Sequence, residues 1–304
     1  MITKTFDLRG DASSRLDAYV LNHEISYKRF RTRPAVLIIP GGGYLTRATR
    51  EQELVAARFL GFGYHAFVLQ YATYFVERPE GTKSPVLNEG AHFPAPLIDL
   101  MTAMRIINDH AEEWDIDKSR IYVLGFSAGG HLAGSLAEKW DQADLLNCAH
   151  ATAEQTRPAG VLMCYPMISA SVCQGLARLP RDLQGLLSYM NQGIFGTDKP
   201  SREQMDAIDL RRGVRADMPR TFVWHTAQDE VAPPLETLQF VTKLLEAGVS
   251  CEMHLYQTGA HGLVFADKEI ALVPEDINYQ VSLWFPSALA WLDLDDGKTE
   301  YFHR

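Results

Sequence analysis

Cysteine is scarce in this chain, with four residues in 304, at positions 148, 164, 173 and 251. None of the spacings is C-x-x-C, so a disulfide framework or a zinc site is not expected and all four read as buried free thiols. No stretch approaches the ~18 apolar residues that a membrane span needs. The first nine residues, Met1 to Arg9, are broken by charges and lack the apolar run of a secretory leader. The expectation is a soluble, cytoplasmic protein with no membrane partner. Basic charge is in deficit: 29 Lys and Arg stand against 38 Asp and Glu, a net charge of −9. Nucleic-acid binders cluster Lys and Arg, so no nucleic-acid partner is expected. Neither G-x-G-x-x-G nor G-x-x-x-x-G-K-[ST] occurs, which removes the common dinucleotide and phosphate loops. Internal repeats and low-complexity linkers are also absent.

What is present is ample apolar material, 46% of residues, arranged as strands alternating with helices. Strands are expected over 3–8 and 16–22, as an antiparallel start, then over 34–39, a continuous apolar run of the buried parallel kind. Further strands fall at 64–70, 121–124, 159–164, 221–225 and 250–256. Helices fall at 51–60, 95–113, 130–140, 235–247 and 279–292, and a polar loop at 77–90. Such alternation predicts right-handed crossovers and a mostly parallel central sheet with helices on both faces. Residues 1–304 are read as one domain. Residues 166–219 contain no strand pattern, only two short helical pieces at 181–190 and 201–212. They read as a cap-like insertion after the sixth strand, rich in Arg, Asp and Gln and without a continuous apolar face.

The most informative words lie at strand ends. Gly125-Phe126-Ser127-Ala128-Gly129 follows the apolar run 121–124 and precedes a helix. A serine on so sharp a strand-to-helix turn needs small residues two positions to either side. The helix start also aims free N–H groups, that of Ala128 among them, at charge developing beside Ser127. Pro40-Gly41-Gly42-Gly43-Tyr44 follows the most apolar strand. Its glycines let the backbone pass close to a substrate with N–H groups turned inward, as an oxyanion hole requires.

Catalytic partners in such sheets lie in loops after the strands. Asp229 follows the 221–225 strand, and His261 sits in Gly259-Ala260-His261-Gly262 beyond the 250–256 strand. The order Ser, Asp, His suits the chemistry: a neutral imidazole takes the serine proton, and a carboxylate fixes its tautomer. His225 and His254 lie within strands, His131 on the helix after Ser127 and Asp99 mid-helix, while Asp206 and Asp209 belong to the insertion. All six are weaker candidates.

Taken together, these segments, the stretch from His92 to Asp99, the run on from Ser127 to Ala133, and Asp229-Glu230-Val231 with Pro233 resemble the small carboxylesterases of the α/β-hydrolase superfamily. The branch is the one holding acetyl xylan esterase-like enzymes and relatives of the hormone-sensitive lipase family. The resemblance runs over roughly residues 34–292. It implies Ser127 as nucleophile, His261 as base and acid, Asp229 as orienting acid, and the N–H groups of Gly42, Gly43 and Ala128 as oxyanion donors, with no cofactor or metal. Pro40 stands where the lipase relatives carry His, and Ala232 where relatives often carry Val.

The activity expected is hydrolysis of short acyl esters, including acetyl groups on a sugar, through an acyl-enzyme. The partner is then a small-molecule ester. An aryl-formamidase or other amidase using the same three residues is the alternative, and a non-catalytic binding protein of the same fold is a third reading. Tyr44, Tyr71 and Tyr165, each just past a strand, are expected to crowd the acyl side and bind substrate. The oligomeric state is left open, a homodimer being one option.

Overall fold

A computed structural model describes residues 1–10, 13–22, 32–77, 85–170 and 181–293, without side chains over 181–185. Cys173 lies outside the described residues. The chain opens with β1 (Ile2–Asp7) and β2 (Arg15–Val20), continues through β3 (Arg33–Ile39), α1 (Glu53–Gly61) and β4 (His65–Gln70), and makes a small hairpin of β5 (Phe75–Glu77) and β6 (Val86–Leu87). Then come α2 (Ala95–Asp109), β7 (Ile116–Phe126), α3 (Ala128–Lys139), α4 (Ala143–Ala149), α5 (Ala153–Thr156) and β8 (Gly160–Cys164). The last part holds α6 (Arg181–Phe195), α7 (Arg202–Ala207), β9 (Thr221–Thr226), α8 (Pro234–Glu246), β10 (Cys251–Tyr256) and α9 (Trp284–Asp293).

Eight strands form one sheet in the order β1-β2-β4-β3-β7-β8-β9-β10. The first two pairings at the β1 edge are antiparallel and the rest are parallel, as the continuous apolar runs predict. Strand β3 shows why both faces are covered. Ala35, Leu37 and Ile39 point into one core with α2, α3 and α8, whereas Val36 and Ile38 point into the other with α1 and α9. From β3 the chain crosses to β4 on one side and later to β7 on the other, so the loops after β3 and β7 lie side by side at the carboxyl end. That junction is where open α/β sheets place their ligands.

Several details differ from the expectation. The strand before Ser127 begins at Ile116, which pairs with Arg33 ahead of a register shift, rather than at Ile121, which pairs with Ala35. Strand β5 ends at Glu77, where the expected loop begins, and β6 lies inside it; at three and two residues both are too short to be legible as strands. Of the cysteines described, only Cys164 is buried; Cys251 is half-buried and Cys148 is exposed on α4. Their single positions on helix and edge strand, invisible in a residue count, decide this. Among the described residues, no helix is long and apolar enough to cross a membrane.

The inserted segment also differs. Among its described residues there is no strand, but α6 presents Met190 and Ile194, which are buried, and Leu187 and Tyr189, which pack against the core. The expectation of no apolar face is corrected here: Leu187, Met190 and Ile194 recur at the three- and four-residue spacing that sets them on one side of a helix.

One buried acid makes a pH test. Glu138, near the end of α3, is 4% exposed and ion-pairs with Lys139 Nζ at 2.7 Å. Burial raises its carboxyl from 4.5 to about 7, against the pull of Lys139. A carboxyl raised by folding stabilises the native state below its unfolded value and loses that stabilisation as pH climbs through the folded one. Glu138→Gln is therefore expected to flatten the fall in Tm between pH 4.5 and 7. Parallel Tm-against-pH curves for the two proteins across that window would count against the buried acid.

Candidate active site

Ser127 stands in the sharp bend between β7 and α3, at φ 52° and ψ −116°. That left-handed conformation costs a non-glycine residue ~1–3 kcal/mol and persists only where the surroundings enforce it. They do so by backbone contact. A Cβ on Gly125 would lie 2.0 Å from the Gly129 carbonyl oxygen, and one on Gly129 would lie 2.1 Å from the Ile39 carbonyl oxygen. Main-chain bonds pin the bend further: Ser127 N–H donates to Cys164 O at 3.0 Å, and Ser127 O accepts from His131 N–H at 3.0 Å and Met167 N–H at 3.1 Å.

The structure brings Ser127, His261 and Asp229 into one line. Ser127 Oγ lies 2.8 Å from His261 Nε2, and His261 Nδ1 lies 2.6 Å from Asp229 Oδ2. An ionised carboxylate only accepts, so Nδ1 carries the proton and Nε2 is free to accept from the serine hydroxyl. Asp229 is itself held on every side. Its Oδ1 accepts the N–H groups of Val231 at 2.8 Å and Ala232 at 2.9 Å, and its Oδ2 also accepts from His225 Nε2 at 3.0 Å. Burial would push this carboxyl up, but the hydrogen bonds from His225 and His261 outweigh it and hold it well below the usual range.

His225 is the residue that sequence reasoning undervalued. It is fully buried on β9, donates through Nε2 to Asp229 and the Ala232 carbonyl, and accepts at Nδ1 from the Thr237 hydroxyl at 3.0 Å. The spacing of four residues to Asp229 was the available signal. Glu51 was missed altogether: it is buried under the glycine loop and accepts the Gly41 N–H at 2.6 Å. Nothing in its neighbourhood of sequence marks it.

The other weak candidates lie apart from Ser127 or behind it. Asp99 pairs with Arg9 at 2.7 Å, His254 with Glu252 at 2.7 Å, Asp206 with Arg212 at 3.1 Å and Asp209 with Arg211 at 2.7 Å. His131 is buried on α3, bonded to the Tyr44 hydroxyl and the Ile208 carbonyl, both at 2.7 Å. Because a carbonyl only accepts, Nε2 carries its proton and Nδ1 accepts from Tyr44. Burial pushes His131 down to about 4, so it is neutral at ordinary pH.

A cavity of about 430 Å³ opens on Ser127. Gly42, Gly43, Ala128 and His261 line it beside Ser127, and its apolar wall comes from Leu45, Phe75, Met167, Leu186, Met190 and Val231. Gly42 and Gly43 both have positive φ, 124° and 64°. A Cβ on Gly42 would meet the Thr46 carbonyl oxygen at 2.2 Å, so the tight loop needs glycine there.

The three tyrosines do not line this cavity, which corrects the expectation that they crowd it. Tyr44, Tyr71 and Tyr165 are all buried, with hydroxyls bonded to His131, to the Pro40 carbonyl at 3.0 Å and to Glu51 at 2.8 Å. Each needs a partner for its hydroxyl, and His131, the Pro40 carbonyl and Glu51 supply it without the tyrosine rings entering the cavity lining. Leu186 and Met190 show that α6 of the inserted segment closes the cavity instead. Among the described residues, no group of three or more His, Cys, Asp or Glu is placed to hold a metal ion.

Residues 24–244 match the family model BD-FAE, which is more than half of the chain. The chain belongs to the BD-FAE family. Relatives and solved structures agree with that membership. The chain is 31% identical over 256 residues to endo-1,4-beta-xylanase B of Butyrivibrio fibrisolvens, covering 84% of this chain and 35% of that protein. It is 23% identical to an acetylxylan esterase of Xylanibacter ruminicola, covering 76% and 41%. The chain thus spans well under half the length of these curated relatives.

Among solved structures it is similar to the carboxylesterase Cest-2923 from Lactobacillus plantarum, at TM-score 0.76 and 26% identity over 96% of this chain and 97% of that one. The α/β hydrolase MGS-M1 from a deep-sea metagenome gives 0.70 and 30%, over 96% and 97%. An acetyl ester-xyloside bifunctional hydrolase from Caldicellulosiruptor lactoaceticus gives 0.65 and 28%, over 90% and 88%. The fold of this BD-FAE member is the α/β-hydrolase fold, and the resemblance to acetyl xylan esterase-like carboxylesterases is borne out.

The hydrogen bonds of His225 yield a stability test. Deleting a fully buried imidazole leaves a cavity and takes a donor from a buried carboxylate, which together cost ~2–4 kcal/mol. His225→Ala is expected to lose that much in urea unfolding. A loss under ~0.5 kcal/mol, the level of an ordinary surface substitution, would show that His225 does not hold Asp229.

Proposed function

We propose that this chain is a serine hydrolase of carboxylic esters with short acyl groups, acetyl groups on a sugar among them. The observation that carries this reading is the hydrogen-bonded line from Ser127 Oγ through His261 to the buried Asp229, ending in a partly apolar cavity. A serine hydroxyl is a weak nucleophile until an adjacent base takes its proton. Ser127 Oγ attacks the acyl carbon as its proton passes to His261 Nε2, and Asp229 steadies the imidazolium that forms.

Charge then develops on the former carbonyl oxygen, beside the N–H groups of Gly42, Gly43 and Ala128. None of the three makes a backbone hydrogen bond outside its own element among the described residues. They need no reorganisation to receive an oxyanion, and one such donor is worth ~10²–10³ in rate. Collapse breaks the bond to the alcohol oxygen, which takes the proton from His261. Water then repeats the sequence on the acyl-Ser127 ester: His261 takes its proton, the acid leaves, and Ser127 regains its hydroxyl.

The substrate class draws on both cavity and relatives. Each methylene contributes ~0.8 kcal/mol only where a wall buries it. A cavity of about 430 Å³ lies near the lower end of the ~300–1,000 Å³ typical of small-molecule sites. It must hold both the acyl group and the reacting centre, which favours short chains. The relatives include an acetylxylan esterase and an acetyl ester-xyloside hydrolase, which supports acetylated sugars as the class to test first.

Ser127→Ala is expected to lower kcat by ~10³ or more in a folded protein, since only oxyanion and binding contributions survive the loss of the nucleophile. Retained turnover in a clean preparation of that variant overturns the assignment. With p-nitrophenyl esters of two to twelve carbons, kcat/KM is expected to peak between acetyl and butyryl and to fall by octanoyl. A maximum at eight carbons or beyond would refute the short-acyl reading while leaving the esterase one intact.

A further inference from the structure

The chemistry just described leaves the 3-10 turn Thr49–Glu51 unused. Two side chains of that turn grip the two loops that flank Ser127. Glu51 Oε2 accepts the Gly41 N–H at 2.6 Å, and Glu51 Oε1 accepts the Tyr165 hydroxyl at 2.8 Å. Arg50 donates from Nη2 to the Gly262 carbonyl at 2.6 Å and from Nη1 to Asp276 at 3.1 Å. Gly41 immediately precedes the glycines of the oxyanion loop, and Gly262 immediately follows His261. Tyr165, the second partner of Glu51, stands edge-on to the His261 ring with centroids 5.0 Å apart.

Glutamate is almost never this buried unless something requires it. Glu51 is 4% exposed, and burial pushes its carboxyl up, opposed first by the hydrogen bonds from Gly41 and Tyr165 and then by the charges of His261 and Arg50. An apolar side chain of similar volume would avoid the desolvation. What such a side chain could not supply is an acceptor for the Gly41 N–H. That acceptor matters because the Gly41 backbone rests on the serine bend: a Cβ there would lie 2.8 Å from both the Phe126 carbonyl oxygen and Ser127 Cβ. A small tilt of Gly41 therefore swings the next two peptide groups relative to Ser127.

We propose that Glu51 is a positioning residue for ester hydrolysis, holding Gly41 so that the N–H groups of Gly42 and Gly43 face the reacting carbonyl oxygen. The proposal rests on the serine-esterase reading above. It predicts an effect confined to the transition state, because the ground-state carbonyl gains little from donors aligned for an oxyanion.

The test compares two variants with wild-type protein and Ser127→Ala. Glu51→Asp keeps the charge but draws the carboxylate back by one methylene, too short to reach Gly41 and Tyr165 together. Glu51→Gln keeps the length and an amide oxygen for Gly41, while its NH2 donates to the Tyr165 oxygen. Misplacement of catalytic groups by ~1 Å costs up to ~10²-fold, so Glu51→Asp is expected to lower kcat by about tenfold or more. KM on p-nitrophenyl acetate should stay within about threefold, and inhibition by phenylboronic acid, whose serine adduct mimics the tetrahedral oxyanion, should weaken by the same factor as kcat. Glu51→Gln should restore kcat to within about threefold of wild type, since the acceptor for Gly41 returns.

End-point labelling with an organophosphonate counts competent Ser127, so every rate is expressed per labelled site and misfolded protein drops out. The proposal is overturned if Glu51→Asp keeps kcat per site within twofold of wild type. It is equally overturned if Glu51→Gln is as impaired as Glu51→Asp, or if KM rises while the boronic acid binds as before. Should Glu51→Asp fail to fold, Tyr165→Phe removes one of the two anchors and is expected to lower kcat per site severalfold with KM unchanged; an unchanged kcat then overturns it. Activity surviving in Ser127→Ala would instead sink the esterase reading itself, so the two failures are separable.

Discussion

Close backbone approach at the turn between β7 and α3 is the constraint on which the rest of the site depends. With no side chain at Gly125 or Gly129, the helix start touches the ends of β7 and β3 backbone to backbone, at distances no Cβ could tolerate. That contact forces Ser127 into a left-handed conformation and lifts its hydroxyl above the sheet. It also brings the loop after β3 against the serine, so the same packing that strains Ser127 delivers the glycine N–H groups beside it. In the proposed mechanism, strain, nucleophile and donors are consequences of one steric fact.

Around that bend the protein buries polar groups it could have left in water. Asp229 and Glu51 are carboxyls sunk beneath loops, and each is satisfied by backbone N–H groups together with a neighbouring ring or hydroxyl. His131 and His225 play the matching part for Tyr44 and Asp229. The glycine loop is held by Tyr71 at Pro40, Glu51 at Gly41 and His131 at Tyr44. Buried hydrogen bonds of this kind give fixed geometry in return for desolvation, because every alternative position leaves a donor or acceptor unpaired. Under the proposed mechanism, a site that receives a developing charge needs that fixity more than it needs stability.

The inserted segment works differently. Its helix α6 contributes Leu186 and Met190 to the cavity wall, side chains that fill space without directional bonds. Bond chemistry and cavity shape are thus carried by separate parts of the chain, rigid loops at the sheet and an apolar helix over it. Such a division lets one fold serve different ester substrates.

The sheet, its two covered faces and the placement of serine, aspartate and histidine just past three of its strands were legible in the chain alone. Those features follow from local pattern: apolar runs of strand length, amphipathic periods between them, and small residues where backbones must touch. Which side chains meet is set by the folded chain. Tyr44, Tyr71 and Tyr165 follow strands as the candidate residues do, yet they are buried outside the cavity lining, where their hydroxyls find partners. Glu51 carries no local mark, since what makes it matter is the Gly41 N–H and a Tyr165 hydroxyl brought to it by the fold, whereas the one local sign of His225 is its spacing of four residues to Asp229. Hydrogen bonding and burial are properties of pairs of residues far apart in sequence, and a linear pattern holds only one member of each pair at a time.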